Sequence, residues 1–385
     1  RDVTYIGTRN KDIKMKASEA ILKGICPDGG LFIPDEMPVM DKTIDELAKM
    51  DYRELAYEVM KLFFTDFTED ELKYCINNAY DDKFDTKEIA PLVEKDGVYF
   101  LELFHGRTIA FKDMALSILP YLMKTSAKKN NIDKEIVILT ATSGDTGKAA
   151  LEGFADVEGT RIIVFYPDGG VSPVQKMQMV TQKGKNVCVA AITGNFDDAQ
   201  SAVKSIFTDN EMIKELDERG FMFSSANSIN IGRLIPQVVY YWYAYCSLVR
   251  DGKIKAGDKI NFTVPTGNFG NILAGYFAKK MGLPVNMFIC ASNSNKVLYD
   301  FFRTGTYDRN REFILTVSPS MDILISSNLE RLICMLTSQE ETAKLMASLA
   351  GEGKYTLTAK AEDITGEYAD EDETFTAIRT MYANA

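Results

Sequence analysis

Lys112 closes the run Phe104-His-Gly-Arg-Thr-Ile-Ala-Phe-Lys-Asp113, with Ile109, Ala110, Phe111, Met114 and Ala115 around it. An amine in apolar surroundings loses the hydration its ammonium form needs, so its pKa falls and it can act as a neutral nucleophile in Schiff-base chemistry. Lysines beside apolar residues also snorkel to water, so the run alone leaves both fates open. Two glycine-rich runs, Ala141-Thr-Ser-Gly-Asp-Thr-Gly147 and Pro265-Thr-Gly-Asn-Phe-Gly-Asn271, each follow an apolar stretch and precede a helical pattern. Successive backbone N–H groups at such a junction, with the dipole of the following helix, make an anion site. A plain strand-to-helix turn with Asp or Ser as cap has the same pattern. Lys148 does not turn the first run into a nucleotide loop: Gly144 and Gly147 stand too close, and Ala149 replaces the magnesium-binding hydroxyl. Two such junctions in one chain favour a phosphorylated ligand. Asn227-Ser-Ile-Asn-Ile-Gly-Arg233 adds amides, a hydroxyl and a guanidinium, which suit an oxyanion or a solvated helix start equally. Val171-Ser-Pro-Val-Gln-Lys176 needs no ligand, because Ser172 as N-cap, Pro173 next and Gln175 closing a capping box account for it.

Other chemistries are excluded by composition. The chain has one histidine, His105, so no two-histidine metal motif exists, and any Ser–His or Cys–His mechanism would have to use it. A lone histidine before a glycine is more often a packed, hydrogen-bonded side chain. The six cysteines (Cys26, Cys75, Cys188, Cys246, Cys290 and Cys334) are scattered without a C-x-x-C pair. They make neither a zinc ribbon nor a disulfide framework, and a reducing cytoplasm is the expected location. No metal is expected. A net charge of −11 argues against a nucleic-acid partner. The polar start Arg1–Asn10 has no apolar signal-peptide core, and Val238–Val249 is too short to span a bilayer and reads as a buried helix.

The elements that must position these residues follow from the apolar pattern. With 385 residues the chain should divide into two or three domains. Up to about Val93 it reads as mostly helical, with helical spacing over Ile44–Met60 and Glu69–Tyr80. From Val98 onward, short β-rich runs alternate with helices such as Asp113–Lys124, Asp198–Leu216 and Ile272–Lys280. The predicted strands are Tyr99–Leu103, Ile136–Thr140, Ile162–Tyr166, Val187–Ile192, Phe221–Ser224, Ile260–Val264 and Val285–Ala291. That alternation predicts an α/β fold with a parallel sheet covered on both faces. The acidic tail adds one more helix over Glu371–Tyr382.

Taken in order, these segments resemble the threonine synthase family. The resemblance rests on L-E-L-F-H-G-x-T-x-A-F-K-D (Leu101–Asp113), T-S-G-D-T-G (Thr142–Gly147) and G-x-V-S-P-V-Q-K-x-Q-M (Gly169–Met179). It continues through N-S-I-N-I-G-R (Asn227–Arg233), P-T-G-N-F-G-N (Pro265–Asn271) and S-P-S-M-D-I-L-I-S-S-N-L-E-R (Ser318–Arg331), and the start T-Y-I-G-T-R (Thr4–Arg9) agrees. Arg107 departs from the pattern, standing where the family usually has proline.

The resemblance implies a fold-type II enzyme dependent on pyridoxal 5′-phosphate (PLP), with two parallel α/β domains and an added N-terminal domain. Residues 1–95 would form that mostly helical domain, 96–130 with 220–385 the large PLP-binding domain, and 131–219 the small one. The implied reaction turns O-phospho-L-homoserine and water into L-threonine and phosphate. Lys112 would carry the cofactor as an aldimine and shuttle protons. Gly267, Asn268, Phe269, Gly270 and Asn271 would bind the cofactor phosphate. Ser143, Gly144, Asp145 and Thr146 would receive the substrate carboxylate, and Asn227, Ser228 and Arg233 the substrate phosphate. No protein partner is implied. Sequence beyond Ala385 is expected to supply a further segment near the pyridine nitrogen. Two alternatives remain: a related lyase that releases a keto acid, and a non-catalytic PLP- or metabolite-binding protein.

Overall fold

A computed structural model describes residues 1–142 and 144–385. It opens with three short strands, β1 (Tyr5–Gly7), β2 (Lys14–Met15) and β3 (Phe32–Pro34), paired antiparallel in the order β2-β1-β3. The helical reading of this region does not show that sheet, because strands of two or three residues carry too few alternations to register. The stretch predicted as one helix over Ile44–Met60 is two, Ile44–Ala48 and Tyr52–Phe63. Asp51 makes the break: its carboxylate accepts from the Glu54 N–H at 2.9 Å while the Glu54 side chain accepts from the Asp51 N–H at 3.2 Å. That reciprocal cap starts a new helix. Glu69–Ala79 follows.

Next, β4 (Leu92–Lys95) and β5 (Val98–Leu101) form an antiparallel hairpin. The run predicted as Tyr99–Leu103 is therefore an arm of this hairpin and not part of a parallel sheet. Its cause is local: Asp96 (φ 52°) and Gly97 (φ 77°) both take left-handed angles, which the two-residue hairpin turn requires.

Two parallel sheets form the body. In the first, β6 (Glu135–Ala141), β7 (Thr160–Pro167), β8 (Val187–Ile192) and β9 (Phe221–Ser224) lie in the order β8-β7-β6-β9. The second begins with β10 (Ile260–Pro265) beside β11 (Val285–Ser292). A small antiparallel pair, β12 (Thr306–Asp308) with β13 (Lys354–Thr356), precedes β14 (Ile364–Tyr368), which completes the order β10-β11-β14. A boundary at 219/220 would separate β9 from the first sheet, yet its residues pair with Glu135–Ile138 of β6. An apolar run reports burial, not its pairing partner, so the sequence does not reveal this.

Two more helices predicted as continuous are divided, the first at a proline and the second at a polar cap. Asp113–Leu116 stops before Leu119–Lys129, which has Pro120 in its first turn. Phe196–Phe207 gives way to Asn210–Glu218, where the Asp209 carboxylate accepts from the Glu211 and Met212 N–H groups. The long helix Ile231–Arg250 is buried along nearly its whole length. Among the described residues no helix is long and apolar enough to cross a membrane.

The helix Asp145–Phe154 crosses Asp113–Leu116 at Gly153, where an added Cβ would collide with the Leu116 carbonyl oxygen and lie 3.1 Å from its carbon. Neither backbone can yield like the tip of a flexible side chain. Gly153→Ala is expected to destabilise the protein by about 1–3 kcal/mol, the usual result of overpacking. Urea unfolding would read this directly, and an unchanged midpoint would show that the crossing has slack.

Candidate active site

The Lys112 loop is closed by its own residues. The Thr108 N–H donates to Asp113 Oδ2 at 2.9 Å and the Thr108 hydroxyl to Oδ1 at 2.6 Å. Gly106 is required beneath, because a Cβ there would stand 2.6 Å from that of Asp113. The Tyr80 hydroxyl donates to the Met114 carbonyl at 2.6 Å and ties the helix after Lys112 to the N-terminal region. His105 is a strut, with its ring nitrogens against Asp85 at 2.5 Å and Glu102 at 2.9 Å. Arg107 reaches out to Glu152 at 3.2 Å and leaves the lysine undisturbed.

Lys112 turns inward and is only 8% exposed. Ile109, by contrast, points to solvent at 74% exposure, so it is not among the residues that bury the amine. Nζ donates to Asp145 Oδ2 at 2.9 Å and lies 5.3 Å from the centre of the Phe111 ring. Burial holds the Lys112 pKa below the ordinary lysine value, against an upward pull from Asp145 and helped by the Arg233 charge. The same Asp145 oxygen accepts from the Ser320 hydroxyl. Burial disfavours the Asp145 carboxylate, but Lys112 and Ser320 outweigh it, and its pKa sits below the ordinary value.

The two glycine-rich junctions lie at the carboxyl ends of β6 and β10. In the first, the Thr142 hydroxyl oxygen accepts from the N–H groups of Gly144 at 3.0 Å and Gly147 at 2.9 Å. Gly144 leaves room for the Gln175 amide from the helix Pro173–Val180, which begins with the Ser172–Gln175 capping box read from the sequence. Thr146 lies in the first turn of Asp145–Phe154, and Ser143 lies outside the described residues. Lys148 points away, to Gln182 and Glu152.

In the second junction, Phe269 takes φ 69° and no side chain among the described residues caps the helix Gly270–Lys280. Its first N–H groups are thus left for another acceptor. Gly267 fits under the Ser318–Arg331 segment, since a Cβ on it would stand 3.0 Å from the Ser320 carbonyl oxygen. Ser326 donates to the Gly267 carbonyl at 2.6 Å, and the Asn328 N–H to that of Asn268 at 2.9 Å. Asn271 is held by the hydroxyls of Tyr240 at 2.8 Å and Tyr241 at 2.7 Å.

Asn328 Nδ2 also donates to the Ser228 carbonyl at 3.2 Å, joining this junction to the third donor run. There Asn227 is exposed, and Asn230 caps the helix by accepting from the Gly232 N–H at 2.8 Å. Arg233, 3% exposed, donates from Nη1 to the Ala226 carbonyl at 3.1 Å, and its buried Nε has no partner among the described residues. Burial pushes its pKa down to about 10, against an opposing pull from Asp145. A guanidinium buried with an unused donor is costly unless an anion completes it. Lys112, Arg233 and Asp145 together carry one excess positive charge, so the cluster fits a phosphorylated ligand. The amine, the uncapped helix start and this cationic excess also fit the PLP group.

Ser320, Ser326 and Asn328 are not singled out from the sequence, although they lie in the run Ser318–Arg331 that carries the resemblance. The run is mostly irregular, with one short turn at Pro319–Met321, so no periodicity marks where it packs. Asp322 anchors it: Oδ1 accepts from Asn293 at 2.8 Å, Asn295 at 2.9 Å and the Thr316 hydroxyl at 2.7 Å.

The family model described as pyridoxal-phosphate dependent enzyme matches residues 85–384. Fold and site thus define a fold-type II PLP-dependent enzyme. A second model, threonine synthase N terminus, matches residues 4–80. The PLP-bound threonine synthase of Brucella melitensis superposes with a TM-score of 0.90 at 37% identity, covering 99% of this chain and 82% of that one. The yeast threonine synthase structure gives 0.90 at 35% identity, covering 98% and 79%. In sequence, threonine synthase of Schizosaccharomyces pombe is 37% identical over 99% of this chain and 79% of its own length. Human threonine synthase-like 1 is 38% identical over 98% of this chain and 54% of its own length. The chain belongs to the threonine synthase family.

Proposed function

We propose that the chain converts O-phospho-L-homoserine and water into L-threonine and phosphate with PLP as cofactor. The observation that carries this reading is Lys112: its buried amine bonds Asp145 at one glycine-rich strand end and feels the charge of the buried Arg233. Through Asp145 and Ser320 it is linked to the other strand end. Lys112 would hold the cofactor, and Gly267 through Asn271 would hold its phosphate through the open helix start. When bound, the cofactor supplies the electron sink that lets a proton leave the α-carbon. Lys112 Nζ, once free, is the base for that proton and returns one to the α-carbon at the end. Arg233, with Asn227 and Ser228, would receive the phosphate that leaves Cγ, while water adds at Cβ. Thr146, with Ser143, would offer donors to the substrate carboxylate, and Gly144, whose N–H is taken by Thr142, would shape the turn beside it. We read residues 1–95, 96–130 with 220–385, and 131–219 as the domains that frame this site, with β9 moved to the last. Six free cysteines, five of them buried, support a reducing, cytoplasmic location.

The deciding experiment supplies PLP-loaded protein with O-phospho-L-homoserine and follows phosphate and organic product together. Threonine and phosphate are expected in equal amounts. Phosphate with a keto acid would assign a lyase instead, and no phosphate at all would remove the proposed activity.

A further inference from the structure

Asp145 is the residue whose geometry departs most from the role that the resemblance implies for it. Its Oδ2 already accepts from Lys112 Nζ at 2.9 Å and from the Ser320 hydroxyl. An ionised carboxylate with both contacts on one oxygen would repel a second carboxylate brought to the same place. We propose that Asp145, held in place by Ser320, is the counter-ion of the free Lys112 amine and not a receptor for the substrate carboxylate. Ser320 is then a positioning residue that acts on the lysine through Asp145. This deepens the proposed function and rests on Lys112 being its proton carrier.

The surrounding charges leave Asp145 that task. Lys112 is influenced by Asp145 on the helix Asp145–Phe154 and by Arg233 on the helix Ile231–Arg250. Asp113, next in sequence, is occupied by Thr108. Arg233 opposes an ammonium at Nζ, and Asp145 supports one. A proton taken from the α-carbon therefore has a stabilised seat on Nζ until it is handed back, and no other group need change charge. The hydroxyl of Ser320 can keep its aim because the segment is fixed on both sides. Asp322 binds Asn293 and Asn295 just past the end of β11, and Ser326 holds the Gly267 carbonyl. A substrate carboxylate is left to Thr146 in the Gly144 turn, because the Gly144 and Gly147 N–H groups already donate to the Thr142 hydroxyl oxygen.

Competitive acetylation of the full chain with acetic anhydride across pH, read by mass spectrometry on the Lys112 peptide, tests this independently of turnover. Asp145→Asn should lower the titration midpoint of Lys112. Its acetylation at neutral pH should then rise about tenfold for every whole pH step by which the midpoint falls. Ser320→Ala should move the midpoint the same way by less, Ser320→Thr should restore it, and Ser320→Ala added to Asp145→Asn should change nothing further. If Ser320→Ala does not fold, Ser320→Cys, which keeps the size and weakens the donor, takes its place. A midpoint that stays put in the Ser320 variants, or effects of the two residues that simply add, would overturn the proposal. Borohydride reduction of the parent with PLP separates the two readings. A label on another lysine sinks the proposed function, whereas a label on Lys112 with an unmoved midpoint sinks only the counter-ion.

Discussion

Lys112→Ala is expected to lower turnover of O-phospho-L-homoserine by more than about 10⁴-fold, because it removes the cofactor's attachment and the proton carrier together. The protein should still fold. The lost ammonium is buried with its hydration already forfeited, and the Asp145 side chain left behind is 34% exposed to water and keeps the Ser320 hydroxyl. The loop that holds position 112 is closed by Thr108 and Asp113, not by the lysine. Circular dichroism and thermal unfolding near those of the parent, with activity at background, are the expected pair of results. Residual turnover within tenfold of the parent would mean that another amine does the work.

Arg233→Met should separate function from stability. The guanidinium is buried, and among the described residues its Nε has no partner and its one hydrogen bond goes to the Ala226 carbonyl. Burying a charge without a paired anion is costly, so an apolar side chain of similar volume should let the unfolding midpoint hold or rise. For a phosphorylated substrate the change removes a charge-assisted donor, and kcat/KM should fall by about 10²- to 10³-fold. The affinity for PLP should change far less, because Lys112 and the open helix start at Gly270 would still hold the cofactor. Steady-state kinetics beside a PLP titration decide it, and unchanged kcat/KM would take Arg233 out of the site.

Where the structure reports burial, the sequence is a good guide. A continuous apolar run marks the buried strand β6, alternation marks β10, and the Ser172–Gln175 cap is read correctly from four residues. Partnership is harder, because an apolar run reports that a face is covered but not by what. That is why β5 reads as a member of a parallel sheet and β9 as a strand of the other unit. Interrupted helices escape for a related reason, since apolar spacing runs across Asp51 and Asp209 while their side chains end one helix and begin the next. In the site, glycine-rich turns are visible because backbone geometry demands those residues. Ser320 and Asn328 lie in irregular chain, and only the assembled fold brings them to Asp145, Asn268 and Ser228.

The bonds that tie the first residues to the rest span most of the chain. Arg331 donates to the Phe32 carbonyl across 299 residues, and the Thr8 hydroxyl to Glu330 across 322. Ser224 and Asn230 likewise donate to the carbonyls of Leu22 and Ile21. During synthesis, then, the amino-terminal strands leave the ribosome long before the residues that satisfy them exist. The contacts of Phe32 and Thr8 must wait for 299 and 322 further residues, because contacts of such long separation form late and slowly. The order of translation and the order of assembly run opposite ways here, and residues 224–331 lock residues 8–32.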